Sequence, residues 1–144
     1  MLKSRRFWVI LILVGAAAAL LVAYLMYNKP HPDYTAMKAE FQVSVAELYA
    51  DYVQDLNSAN ERYTGKVLEV EGELHSVEPL DSTLVAVFVL EEGMFGDQGV
   101  RCTFHPAHVP DESLLQPGNL LAIKGYCTGF NEVDVILEKC ILIQ

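Results

Sequence analysis

Three groups of residues in this 144-residue chain have side chains suited to chemistry. Glu69, Glu71 and Glu73 recur at every second position, which spaces them about 7 Å apart on one face of an extended strand. Carboxylates so placed bind a divalent cation when loop carboxylates complete the shell. Their commoner role is a solvated, charged face that guards a sheet against edge pairing. His105-Pro-Ala-His108 places two imidazoles close together, but zinc needs three or four ligands and no neighbouring cluster completes the set. No metal is therefore assigned. Cys102, Cys127 and Cys140 are disulfide candidates, and three thiols always leave one unpaired. A tight turn at Phe130-Asn131 would pair Cys127 with about Asp134 and leave Cys140 roughly 20 Å away. A Cys127–Cys140 bond therefore needs another register. Cys102 and Cys127 fall on inward positions, where cysteine packs as a small apolar residue.

The motifs of hydrolases, phosphate-binding loops and zinc proteases do not occur. Gly93, Gly96 and Gly99 lie in EEGMFGDQG, read as a flexible loop between strands with turn chemistry at Gly96-Asp97. The expectation is a non-enzymatic protein with no catalytic residue and no cofactor.

The elements that would position these groups divide sharply. Hydrophobic residues make up 52% of the chain, yet its formal net charge is −9. The apolar excess sits at one end. Phe7 to Tyr27 is free of charge and, as a helix of about 31 Å, matches the hydrocarbon core of a bilayer. Lys3, Arg5 and Arg6 precede it, so the N-terminus is expected in the cytoplasm and the rest outside. Ala16 to Ala19 interrupts the apolar run rather than ending it, which favours an uncleaved anchor over a cleaved signal. No cysteine precedes Cys102 to take a lipid.

Residues 28–34, NKPHPDY, read as a stiff spacer. Over residues 35–62, Met37, Phe41, Val45, Leu48, Tyr52, Leu56 and Ala59 recur at helical spacing, and Gly65 is a terminator. That stripe is expected to pack on the following domain. A second copy of the chain, forming a homo-oligomer, is the alternative partner for it. From residue 63 to 144 the period changes to two. Five strand-like runs begin near Lys66, Leu84, Val100, Leu121 and Asp134, with the last broken at Glu138-Lys139 as by a bulge. A long insertion, His105 to Gly118, separates the third from the fourth. Five strands in this order predict an α+β chain ending in a five-stranded OB-fold-like β-barrel, with Gly72 at the bend of its first strand.

Asn57-Ser-Ala-Asn60, Tyr63, Gly65-Lys66, Val70 and Gly72 resemble the entry motif of the tRNA-anti-like OB-fold family of bacterial envelope proteins. Val100-x-Cys102-x-Phe104, Gly118, Ile123-Lys124-Gly125-x-Cys127-x-Gly129 and Cys140 are similar to its later strands. The resemblance implies an OB barrel behind a helix, often on a lipoprotein, and its name suggests nucleic-acid binding. Charge opposes that last point. Residues 28–144 hold 7 Lys and Arg against all 19 Asp and Glu, a net charge of −12. Phosphate binding draws its affinity from Lys and Arg, and single-strand sites need aromatic platforms. The expected role is therefore engagement of an envelope protein or glycan, with single-stranded nucleic acid as the alternative. The candidate binding residues are Phe88, Arg101, Thr103, His105, His108, Lys124 and Tyr126. They are expected to act with the loops Gly93–Gly99 and His105–Gly118.

Overall fold

The computed structural model of the chain describes residues 2–28 and 33–143. Most of the expected 28–34 spacer lies outside the described residues. The chain divides into two units, Met1–Pro32 and Asp33–Gln144.

The first unit holds helix α1, Leu2–Tyr27, which is 26 residues long. Its side chains from Phe7 to Tyr27 are apolar or small on every face and exposed. Length and composition fit a membrane anchor or a signal.

The second unit has element order β1 (Phe41–Ser44), α2 (Val45–Gln54), α3 (Leu56–Tyr63), β2 (Val67–Glu73), β3 (Ser76–Leu80), β4 (Thr83–Gly93), β5 (Gly96–Phe104), β6 (Leu120–Phe130) and β7 (Asp134–Leu142). The continuous helix expected over 35–62 is corrected. Phe41 and Val43 sit in a short strand parallel to β2, and the helical spacing across them is coincidental. Ser44 then starts α2, its Oγ accepting the Glu47 N–H at 3.1 Å. Asp55 is extended and divides α2 from α3, its carboxylate accepting the Ser58 N–H at 3.2 Å. Val45, Leu48, Tyr52 and Ala59 of the expected stripe are buried, while Met37 and Leu56 are exposed. Gly65 follows α3 with φ +82°, as a helix terminator should.

The closed five-stranded barrel is also corrected. The strands form one open, mixed sheet of seven, ordered β1-β2-β6-β7-β5-β4-β3. The five expected runs are β2, β4, β5, β6 and β7; β1 and β3 are additional. β2 and β3 lie at or near opposite ends of this order, yet only Leu74 and His75 separate them in the chain. The first half of this long bent segment pairs with β6 and the second with β4. β5 and β7 run parallel. The expected bulge at Glu138-Lys139 is present: the register with both neighbours shifts there, and Lys139 has φ +52°.

The inward positions of this sheet and the buried face of α2 form one core around Leu48, Tyr52, Leu68, Phe88, Phe104 and Ile123. Gly72 lets that happen. A Cβ there would collide with Val45 Cγ2 and crowd the Phe88 ring, so close approach of α2 to β2 demands glycine. The expected insertion after β5 carries single helical turns at Pro106–His108 and Glu112–Leu114.

Candidate functional site

Strand alternation puts Ser76 and Glu78, Val85 and Val87, and Arg101 and Thr103 on the outer face of β3, β4 and β5. A cavity of about 350 Å³ opens on it, lined in part by His75, Glu78, Arg101 and Asp134. Arg101 is held from two sides. Its terminal nitrogens donate to the two Glu78 carboxylate oxygens at 2.9 and 3.0 Å. Its Nε lies 3.2 Å from Asp134 Oδ2. The other Asp134 oxygen accepts the Gly99 N–H at 3.0 Å. A guanidinium paired in this forked way has few donors left for a phosphate.

A larger open groove, about 1130 Å³, lies between the β1–α2 corner and the outer face of β2. Glu47, Glu69, Glu71 and Glu73 line it, and Leu120, exposed, gives it an apolar wall. Gln42 Nε2 donates to Glu69 at 3.2 Å. So many carboxylates in one groove repel an anionic ligand.

The remaining expected residues do not join a common site. Phe88 is buried in the core, because its position on β4 faces inward. Lys124 and Tyr126 lie on β6, covered by the segment that enters the unit. There the Tyr34 ring stacks on Tyr126 with centroids 4.3 Å apart. Lys124 Nζ donates to the Thr35 carbonyl at 2.7 Å. Lys139 Nζ lies 4.8 Å from the Tyr34 centroid. Burial and the neighbouring Tyr34 raise the Tyr126 phenol above its ordinary range. His105 and His108 stand at the end of β5 with rings 5.6 Å apart. His105 Nδ1 already accepts the Ala107 N–H at 3.1 Å. Among the described residues, no three His, Cys, Asp or Glu converge as metal ligands.

The three cysteines are buried and free. Cys127 pairs across the ladder with Leu137, not Asp134, because the turn after Phe130 is wider than expected. Its thiol lies 3.3 Å from the Tyr52 hydroxyl, which also meets Thr64 Oγ1 at 2.8 Å. Burial holds the Cys127 and Cys140 thiols above their usual range, with the neighbouring Cys102 adding to it at Cys140. Protonated, buried thiols are poor nucleophiles.

Sequence reasoning missed the partners that occupy the cations. Tyr34 falls in the expected spacer and Asp134 at the start of the fifth expected run, and Glu78 carries no expectation. β5 alternates, but β3 does not, so no local signal paired Glu78 with Arg101.

A helix-flanked, partly open sheet with this strand order is an OB-type domain. The chain belongs to the tRNA_anti-like family, whose pattern matches residues 1–141. A solved structure from Klebsiella pneumoniae subsp. pneumoniae MGH 78578 shares the fold with a TM-score of 0.53 at 18% identity, over 81% of this chain and 100% of that one. It is described as a lipoprotein whose nucleic-acid binding is itself a proposal. No curated protein matches the chain.

Proposed function

We propose that this chain is a membrane-anchored, non-enzymatic binding module of the cell envelope that engages a protein or glycan through its OB-type unit. In this reading α1 is an uncleaved single-pass anchor. Lys3, Arg5 and Arg6 keep the N-terminus in the cytoplasm, and residues 33–144 are extracytoplasmic.

One observation carries the choice of ligand class. From residue 63 onward the chain has four Lys and Arg, and the protein itself engages each of them. Arg101 lies between Glu78 and Asp134, Lys124 bonds Thr35, Lys139 covers Tyr34, and Lys66 lies over the Phe41 ring. Nucleic-acid affinity comes from Lys and Arg that exchange counterions for phosphates. Cations already spent on internal partners supply little of it.

Nucleic-acid binding remains the second reading, favoured by the family and by the Klebsiella neighbour's description. Titrating the detergent-solubilised full chain into a fluorescein-labelled 20-nucleotide oligo(dT) or oligo(U) at low salt separates the two. The proposal expects no anisotropy change up to tens of micromolar. Micromolar binding that weakens steeply with salt overturns it. A photocrosslinker at Gln42 or Leu120, in the native membrane, is expected to yield protein adducts that a crosslinker at the exposed Asn57 does not.

A further inference from the structure

The hairpin joining β4 to β5 ends in a feature the fold does not require. Gly93 pairs with Gly96, so Met94 and Phe95 alone form its tip. The expected flexible loop over Gly93–Gly99 is in fact ladder on both sides of this turn. Turn centres of this kind favour Asn, Asp and Gly, which are polar or conformationally free. Here they carry two large apolar side chains, with Met94 94% and Phe95 101% exposed. The residues behind the tip break a second rule. Glu92 stands directly opposite Asp97, a like-charged pair that weakens a ladder. Two local rules broken at one place, without a compensating contact in the fold, mark a functional surface.

The arms behind the tip are tied to the helix layer. Tyr49 of α2 donates toward both arms of the hairpin, to Gln98 Oε1 at 3.0 Å and Glu91 Oε2 at 3.3 Å. A hairpin tied at its arms has less freedom to lose on docking. Its position within the unit matters too. The entering segment contacts Lys139, beside Cys140, which pairs with Phe104 at the far end of β5. The tip is at the near end of β5, about 30 Å away at strand spacing. The hairpin thus extends from the end opposite to where the chain enters.

We infer that Met94 and Phe95, collared by Glu92 and Asp97, form a plug that docks into an apolar pocket rimmed by Lys or Arg on a second envelope protein. The acidic collar selects a basic rim and disfavours an anionic lipid surface. This inference rests on the binding-module reading and names the surface it uses.

The test places benzoyl-phenylalanine at position 95 of the full chain and irradiates the native membrane. The expected result is a protein adduct that mass spectrometry identifies. It disappears when Met94→Asp is added, and it weakens with Glu92→Lys and Asp97→Lys together. Purified, that partner should bind the full chain at least tenfold more weakly after Phe95→Asp. Its binding should become less salt-sensitive after the collar reversal. An unchanged melting temperature for Phe95→Asp shows that the fold is intact. An adduct to lipid, to a second copy of this chain or to nothing overturns the plug, as does an affinity unmoved by Phe95→Asp. If position 95 fails while Gln42 or Leu120 still captures protein, the plug falls and the binding-module reading stands. If all three fail, both fall.

Discussion

The shoulder where α2 lies on β2 and the tip of the β4–β5 hairpin obey opposite rules. On the shoulder the inward-facing residues serve packing. Leu48 and Tyr63 are fully buried, Gly72 admits Val45, and the Tyr63 hydroxyl donates to Asp51 at 2.6 Å. At the tip, two apolar side chains face water and like charges face each other. A chain that solves its packing so completely in one place has the means to do so in the other. The difference locates the part of the surface shaped by something other than folding.

Substitutions test that contrast, each read by urea unfolding of the full chain in detergent micelles. Leu48→Ala should cost about 2–5 kcal/mol, since the cavity forms in a closed core. Asp134→Ala takes the Nε partner from Arg101, which keeps Glu78, and leaves the Gly99 N–H without its acceptor; it should cost about 1.5–3 kcal/mol. The same variant, with Arg101 partly released, should still leave oligonucleotide binding undetected. Gly72→Ala should cost about 1–3 kcal/mol by forcing α2 off the sheet.

Tyr63→Phe should cost about 1 kcal/mol at neutral pH and should also change the alkaline limb. Burial, with Asp51 next, pushes the Tyr63 phenol up to about 12. An unfolded tyrosine ionises near 10. Between those values the unfolded chain loses its proton first, so the stability due to Tyr63 is full below pH 10 and falls as pH rises toward 12. The Phe variant should show a shallower decline over that range. At the other extreme, Phe95→Ser should move stability by no more than about 0.5 kcal/mol. A large loss there would mean that the tip serves the fold, and the contrast would collapse.

Much of the sheet was legible because period-two alternation survives in single strands. Val100, Cys102 and Phe104 announced β5, and Glu138-Lys139 announced its neighbour's bulge. β1 was hidden because Phe41 and Val45 happen to fit a helical spacing. The Ser44-x-x-Glu47 cap that separates them was legible and went unread. β3 was hidden by Pro79 and by its position at a sheet edge, where only one neighbour enforces a pattern. The site was less legible still. Arg101 and Thr103 share an outer face, as strand alternation implies, but nothing local announces that Glu78 and Asp134 have already taken the guanidinium. Such pairings join residues far apart in sequence and depend on register. The apolar tip looked like loop because Gly96-Asp97 speaks for a turn, and turn chemistry says nothing about what the turn displays.

The entering segment has a mechanical meaning. Any load carried along the chain from α1 reaches the second unit at Asp33, and its first points of resistance are the Tyr34–Tyr126 stack and the Lys124–Thr35 bond. Beyond them the load passes to β1, whose parallel pairing with β2 places it at the edge of the sheet. Without this strap Lys124, Lys139 and Tyr126 would be uncovered together. The entering segment therefore masks cationic and aromatic groups that β6 and β7 would otherwise present to solvent.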